Sequence, residues 1–181
     1  MAIGAEIWRR LDGVRLLSLD LDGVLTDGGL YYAADGSELR KYHVRDGMGI
    51  KLVQKAGLQV SLVTMSDIPA IRIRTERLGI EHAHMGIVEK LPVLEKICAQ
   101  LGIGLDAVLH IADDVNDLSV LRAVGLPVAV ADAMDAVKGV ARYVTEKPGG
   151  HGAVREICDL LLASRERQQA NIQQQKGRMS Q

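Results

Sequence analysis

The stretch "LLSLDLDGVLTDGG", residues 16–29, decides the fold because an apolar run ends in two carboxylates, Asp20 and Asp22, with glycines close behind. An apolar run of this length, bounded by turn residues, is typical of a buried strand. Carboxylate side chains are seldom buried without a partner. Two of them this close repel, so that either one takes up a proton or a cation lies between them. Either outcome indicates a functional site at the end of this strand.

Short apolar runs alternate with amphipathic stretches through the rest of the chain. We predict strands at residues 14–20, 58–64, 81–86, 107–113, 126–131 and 142–147. Helical patterns lie between them and close at glycines: Gly57, Gly79, Gly102 and Gly125. Strand–helix–strand alternation predicts right-handed crossovers, and therefore an α/β fold with a doubly wound parallel sheet and helices on both faces.

Polar side chains follow three of the predicted strands. In parallel sheets, ligands bind beyond the carboxyl ends of the strands. The residues that we expect at this edge are Asp20, Asp22, Thr64, Ser66, Asp113 and Asp114, with Asn116 and Asp117 just after them. This convergence of acids and hydroxyls is the strongest functional signal in the chain.

The acids have a chemical interpretation. Asp20 could attack phosphorus and form an aspartyl-phosphate, which divides a difficult hydrolysis into two easier steps. Asp22 could protonate the leaving oxygen and later deprotonate water. Asp113 would complete an oxygen-rich site suited to Mg²⁺. Thr64, as a hydroxyl donor, and Lys90, at a predicted helix start, could bind the phosphate, although a strand-end threonine and a solvated helix lysine need no site.

Residues 29–44 interrupt the alternation. Their alternating pattern on either side of the turn "ADGS" predicts two short strands that form a β-hairpin flap. This segment is too short to be a cap domain. Because a two-stranded ribbon is only marginally stable alone, we expect it to pack on a neighbouring subunit.

The chain is expected to form one domain, residues 1–163, followed by a polar, Gln-rich tail, residues 164–181. We predict that this tail extends the preceding helix and then becomes disordered. The alternative is that it docks elsewhere on the protein.

Composition excludes several classes of function. The net charge of −1 argues against a nucleic-acid groove, and no apolar run is long enough for a transmembrane helix. The N-terminus lacks the pattern of a signal peptide. Cys98 and Cys158 have no CxxC neighbour and are expected to be reduced core residues. These features predict a cytoplasmic protein with no nucleic-acid or membrane partner.

Four motifs in order, "DLDGVLTDG", a threonine after the second strand, a downstream lysine and "ADDVND", resemble the haloacid dehalogenase superfamily of phosphohydrolases over residues 12–163. The stretches "LTDGGLYY", "VRDGMGIKLV", "VAVADA" and "GGHGAVREICDLLL" are similar to capless members that dephosphorylate 3-deoxy-ulosonic acid phosphates. This resemblance implies a Rossmann-like core, a homotetramer whose flap reaches a neighbouring active site, and a role in lipopolysaccharide precursor synthesis.

The resemblance also implies roles for individual residues. Asp20 would be the nucleophile and Asp22 the general acid/base. Mg²⁺ would be held by the Asp20 side chain, the Asp22 carbonyl and Asp113. Asp114 and Asp117 would lie close behind the metal ligands and act through water or hydrogen bonds, and Thr64 and Lys90 would bind the phosphate. Ser66, in the loop after the second strand, would contact the substrate, and Arg74 would meet the substrate across a subunit boundary.

Three departures from the family pattern concern the substrate. "TGR" is replaced by "TMS" at Met65 and Ser66, "GDD" by "ADD" at Ala112, and "GGRG" by "GGHG" at His151. The catalytic acids are all retained, so phosphatase chemistry is still expected, whereas the two missing arginines would have suited the carboxylate of a sugar acid. The substrate that the resemblance implies is 3-deoxy-D-manno-octulosonate 8-phosphate. Two alternatives stay open: a phosphatase for 3-deoxy-nononate 9-phosphate or another sialic-acid-type phosphate, and a non-catalytic tetramerisation module.

The histidines are interpreted separately. His43 and His151 could each contact substrate or lie on the surface, and His110 is expected to be a hydrogen-bonded core residue. His82 and His84 share a strand face but have no third ligand nearby, which argues against a metal site.

Overall fold

A computed structural model describes the backbone of residues 3–179 and side chains up to residue 174. Its strands, in chain order, are β1 (Leu16–Leu19), β2 (Tyr31–Tyr32), β3 (Glu38–Leu39), β4 (Gln59–Val63), β5 (His82–His84), β6 (Val108–Ala112), β7 (Leu126–Ala129) and β8 (Tyr143–Val144). Six of them form a parallel sheet in the order β5-β4-β1-β6-β7-β8. All six predicted strands and the α/β doubly wound fold are confirmed.

The helices are α1 (Ala5–Gly13), α2 (Val44–Lys55), α3 (Pro69–Leu78), α4 (Lys90–Leu101), α5 (Leu118–Ala123), α6 (Asp135–Val140) and α7 (Ala153–Met179). The first three predicted helices end beside Gly57, Gly79 and Gly102 as expected. The sequence did not predict α1 or α6. Because α6 has only six residues, it gives no clear periodic signal. In α1, however, Ile7, Trp8 and Leu11 pack on the core at helical spacing, and this pattern could have indicated the helix.

The sheet is buried on both faces. All four residues of β1 are buried, and successive side chains alternate between the faces. Leu17 and Leu19 pack in a cluster with residues of α2 and α7, whereas Leu16 packs in a second cluster with residues of α4. This two-sided burial explains why the strands read as continuous apolar runs rather than as alternating patterns.

The topology places one strand end at a special position. β1 pairs with β4 on one side and with β6 on the other. The chain therefore builds outward from β1 in both directions, and the strand order reverses at its carboxyl end. Such a switch point leaves a crevice in which α/β proteins bind ligands. Asp20 and Asp22 come directly after β1 and therefore lie at this switch point.

The predicted hairpin is confirmed. β2 and β3 pair antiparallel, with Tyr31 opposite Leu39, and a bridge between Thr26 and Tyr42 joins its base to the loop after β1. This hairpin is the only insertion between β1 and α2, and no cap domain is present among residues 3–179.

The polar C-terminal stretch extends the preceding helix, as predicted, and α7 continues to Met179, so the disorder predicted to follow is not seen among the described residues. Side chains at the start of this stretch bind the N-terminal part of the chain: the Ser164 hydroxyl donates to Asp12 at 2.6 Å, and the Arg167 guanidinium lies 4.3 Å from the centre of the Trp8 ring. These contacts support the docking alternative, on the protein's own α1. Residues 180–181 lie outside the described part of the chain.

No helix in the described part of the chain combines the length and the hydropathy needed to cross a membrane. The two cysteines, Cys98 and Cys158, are buried and unpaired, as expected.

Candidate active site

Asp20 lies directly after β1 and is almost fully buried, with 4% of its surface exposed. Its backbone N–H donates to the Ile111 carbonyl of β6 at 3.1 Å, which extends the sheet pairing by one residue. The strand itself therefore fixes the position of this carboxylate. A side chain held by a sheet has little freedom to move, which suits a nucleophile that must meet its target at a set distance.

Lys90, the first residue of α4, is the charged partner of Asp20. Its Nζ lies 2.8 Å from Asp20 Oδ1 and 2.6 Å from Asp117 Oδ2, and only 1% of the residue is exposed. Although burial favours the neutral amine, the two carboxylates raise the pKa of Lys90, so that it stays charged. A fixed positive charge beside Asp20 is the feature that phosphoryl transfer requires.

A buried chain of hydrogen bonds supports this lysine. The other oxygen of Asp117 lies 2.9 Å from His110 Nε2, and His110 Nδ1 lies 2.9 Å from the Ser18 hydroxyl on β1. His110 is thus the hydrogen-bonded core residue that the sequence predicted. Since both oxygens of Asp117 have partners, this carboxylate orients Lys90 from behind rather than facing the crevice.

Asp113 follows β6 and lies against the loop after β1. A Cβ built on Gly23 would come within 2.0 Å of Asp113 Oδ2, and Gly23 has a φ of +73°. A side chain at this position would therefore displace the carboxylate. Gly23 provides both the left-handed backbone conformation and the space that bring Asp113 to the edge where Asp20 and Asp22 lie.

Two of these carboxylates have raised pKa values. Burial, followed by the charge of Asp117, raises the pKa of Asp20 to about 8 against the lowering effect of Lys90. Burial, followed by the charge of Asp114, raises the pKa of Asp113 to about 6. A cation at this edge would favour both ionised forms. Together with the backbone carbonyl oxygen of Asp22 in the loop after β1, these carboxylates form an oxygen donor set that fits Mg²⁺.

The expected Mg²⁺ site has few side-chain ligands. Among the described residues, no three histidine, cysteine, aspartate or glutamate side chains form a cluster that could hold a metal ion. The site expected from the sequence uses two carboxylates, Asp20 and Asp113, with the backbone carbonyl of Asp22. Mg²⁺ commonly keeps several water ligands and binds one or two carboxylates, so this smaller set is sufficient.

Asp22 follows β1 and is partly exposed, with 33% of its side chain accessible to solvent. Its Oδ1 accepts a hydrogen bond from Arg40 Nε at 2.7 Å, and its Oδ2 accepts one from the Ser66 hydroxyl. Ser66 was among the predicted site residues, whereas Arg40 was not. The only signal for Arg40 was its place within the predicted flap, residues 29–44, and the sequence does not show where a hairpin folds relative to the sheet.

Thr64 is buried at the end of β4, beside β1. Its hydroxyl accepts the Ser66 backbone N–H at 3.1 Å, and its own N–H pairs with the His84 carbonyl of β5. The predicted hydroxyl is therefore held at the carboxyl edge of the sheet, in the loop that also positions Ser66.

The remaining predicted residues lie outside this central cluster. Asp114 is exposed, and its side chain accepts the Val115 N–H at 2.7 Å. Arg74, on α3, lies 5.2 Å from the centre of the Tyr42 ring and donates to the His43 carbonyl at 3.5 Å. The structure brings Arg74 to the base of the hairpin rather than to Asp20.

The two ambiguous histidines lie together. His43 and His151 line an open cavity of about 510 Å³, whose walls include Arg45, Lys147 and Arg155 but no residue of the Asp20 cluster. The "GGHG" loop itself packs on the loop after β1, where the Gly150 N–H donates to the Val24 carbonyl at 2.9 Å.

Comparison with known proteins agrees with this geometry. Residues 85–157 match the family model of haloacid dehalogenase-like hydrolases. The chain is 38% identical to the 3-deoxy-D-manno-octulosonate 8-phosphate phosphatase of Escherichia coli K12 over 175 residues, which is 97% of this chain and 91% of that protein.

Solved structures of similar proteins show the same fold. A phosphatase of that name from Yersinia pestis superimposes with a TM-score of 0.89 at 38% identity, covering 91% of this chain and 89% of the other. The one from Moraxella catarrhalis, in complex with a magnesium ion, a phosphate ion and KDO, gives a TM-score of 0.87 at 32% identity, covering 93% and 97% of the two chains.

Proposed function

Because the chain belongs to the haloacid dehalogenase-like hydrolases, we propose that it is a Mg²⁺-dependent phosphomonoesterase that hydrolyses 3-deoxy-D-manno-octulosonate 8-phosphate. The observation that carries this proposal is the contact between Asp20 and the buried Lys90, at an edge that also holds Asp22 and Asp113. The whole-length similarity to phosphatases of this name supports the choice of substrate. Such a reaction would serve the synthesis of a lipopolysaccharide precursor.

The nucleophile of the proposed reaction is Asp20. Its carboxylate attacks phosphorus, the bond to the sugar oxygen breaks, and an aspartyl-phosphate forms. Asp22 gives its proton to the departing oxygen, and afterwards takes a proton from the water that attacks the aspartyl-phosphate. Lys90 holds Asp20 and stabilises the negative charge of the transferring group, while the Thr64 hydroxyl donates to its oxygens.

Asp20, the Asp22 carbonyl and Asp113 are the residues that would hold Mg²⁺. When bound there, the cation neutralises the phosphate and relieves the repulsion between the carboxylates and the substrate. Asp114 lies next to Asp113 in the chain and would act through water or through its charge. Asp117 acts through Lys90, to which it is hydrogen-bonded.

The proposal extends to the assembly and to the cell. Exposed apolar side chains on the hairpin, Tyr31, Tyr32 and Leu39, support a homotetramer in which the flap contacts a neighbouring subunit. Arg74, at the base of that hairpin, would meet the substrate of the adjacent site. The two unpaired cysteines favour the cytoplasm.

The test is phosphate release with Mg²⁺ from a panel that includes octulosonate 8-phosphate, nononate 9-phosphate and an aryl phosphate. We expect the highest kcat/KM with octulosonate 8-phosphate and no release in the presence of a chelator. Preference for the nine-carbon acid would transfer the assignment to the sialic-acid-type alternative. No release from any of them would favour the non-catalytic tetramerisation module.

A further inference from the structure

The Asp22 carboxylate is held at both oxygens by residues from two separate segments. Arg40, which follows β3, donates to Oδ1 at 2.7 Å, and Ser66, which follows β4, donates to Oδ2. The Arg40 side chain is only 3% exposed, whereas that of Asp22 is 33% exposed. Asp22 is therefore partly exposed to solvent while two donors hold it from the protein side.

Both donors are themselves fixed in place. The Ser66 backbone N–H is bonded to the Thr64 hydroxyl, which is buried in the sheet edge. Arg40 also forms an ion pair with Glu38 of the same hairpin. The bridge between Thr26 and Tyr42 joins the hairpin to the loop that carries Asp22. Neither contact depends on a long, solvent-exposed side chain, so both restrict the carboxylate to one orientation.

We propose that Arg40 and Ser66 are positioning residues, which hold Asp22 in the orientation from which it transfers its proton to the leaving-group oxygen. This inference rests on the proposed function and adds a role for the hairpin within its own subunit. A charged, bidentate-capable guanidinium and a hydroxyl suit this task because both donate to a carboxylate with defined geometry.

The expected effect depends on the leaving group. In the first step the bond between Asp20 and phosphorus forms and the bond between phosphorus and the leaving oxygen breaks. That oxygen takes the proton of the protonated form of Asp22, which lies on an oxygen lone pair that Arg40 and Ser66 leave free. A sugar alkoxide is a poor leaving group and needs this proton, whereas a dinitrophenolate leaves without it. A misoriented Asp22 therefore slows hydrolysis of the sugar phosphate but has little effect on an activated aryl phosphate.

The experiment compares kcat/KM for Arg40→Ala and Ser66→Ala across octulosonate 8-phosphate, phenyl phosphate and 2,4-dinitrophenyl phosphate. We expect losses of about tenfold or more for the first two substrates and less than about twofold for the third. Arg40→Lys, which keeps the charge but not the forked geometry, should recover part of the loss. Lys41→Ala is the matched control, because Lys41 is the next hairpin residue but pairs with Asp27 instead.

Circular dichroism and the thermal unfolding midpoint check that each variant is folded, and Ser66→Ala removes only a hydroxyl. Equal losses for all three substrates, or no loss for any, would overturn the positioning role while leaving the phosphatase assignment intact. A wild-type protein that releases phosphate from none of the substrates would instead refute the proposed function, and this inference with it.

Discussion

At the scale of single residues, the site depends on a few side chains that close contacts hold in place, such as Lys90 between Asp20 and Asp117. Asp20, Asp22, Asp113 and Thr64 could be placed at one edge from the sequence, because the carboxyl ends of parallel strands meet there. The sequence could not show that Asp117 holds Lys90 from behind or that Arg40 reaches Asp22. Those contacts depend on where a helix start and a hairpin fold relative to the sheet, which local patterns do not encode.

Gly23→Ala should lower kcat by about 100-fold, because the new Cβ would push the Asp113 carboxylate away from the site. The matched control is Gly36→Ala in the hairpin turn. Gly36 has a similar positive φ of +83° but nothing within 4 Å of an added Cβ, so this variant has the backbone strain without the collision. Steady-state kinetics on both variants measure the difference, and an equal loss of activity in the two would contradict the role of this space.

Asp117→Asn should lower the free energy of unfolding by about 3 kcal/mol at pH 7, because it removes one of the two carboxylates that pair with the buried Lys90. Burial raises the pKa of Asp117, but hydrogen bonding to His110 and the nearby Lys90 lower it overall. A pKa below the unfolded value means that this stabilisation is present above about pH 4 and is lost as the pH falls further.

Urea denaturation at pH 7 and pH 3 measures both effects, and the difference between wild type and Asp117→Asn should shrink at the lower pH. The control, Asp114→Asn, alters an exposed carboxylate and should change stability by less than about 0.5 kcal/mol. A full-sized difference that persists at pH 3 would argue against the ion pair as its cause.

At the scale of secondary-structure elements, the hairpin was predictable and its partner was not. Alternation on either side of a turn showed where the ribbon lies, and the structure confirms it at residues 31–39. Tyr31, Tyr32 and Leu39 of the hairpin are exposed in the single chain. A ribbon of two-residue strands is marginally stable alone, so these exposed apolar side chains indicate a missing packing partner. For the C-terminal helix, the predicted extension is confirmed, but its polar sequence also suggested disorder beyond it. Instead α7 continues to Met179 and contacts α1 through Ser164 and Arg167.

Leu39→Glu should shift the proposed homotetramer toward smaller species, because it places a charge in the proposed contact between the flap and a neighbouring subunit. Light scattering coupled to size-exclusion chromatography measures the mass. Ile172→Glu on α7 is the control, since Ile172 is similarly exposed but lies outside the hairpin. A wild-type monomer, or an unchanged mass for Leu39→Glu, would refute the flap as an assembly contact.

At the scale of the whole molecule, one sheet edge brings together Asp20, Asp22 and Asp113 with the charged Lys90, to which we assign the proposed chemistry. The parallel sheet follows from the alternation of strands and helices, which is why the fold class was predictable from the sequence. The strand order, with β1 at the switch point, was not predicted and is seen only in the structure. The substrate is less directly encoded, because the positions that differ from the family pattern, Ser66 and His151, lie in separate places. Ser66 contacts Asp22, whereas His151 lines a separate cavity beside α7.

The aspartyl-phosphate on Asp20 is the central claim, and trapping it is the most direct test. The protein would be mixed with substrate and Mg²⁺, quenched in acid within one turnover, digested and analysed by mass spectrometry. We predict one phosphoryl group on the peptide that contains Asp20. The Asp20→Asn variant should show neither this phosphoryl group nor turnover, and its mass in solution should match that of the wild type. Rapid turnover by Asp20→Asn, or a phosphoryl group on a peptide without Asp20, would contradict the account.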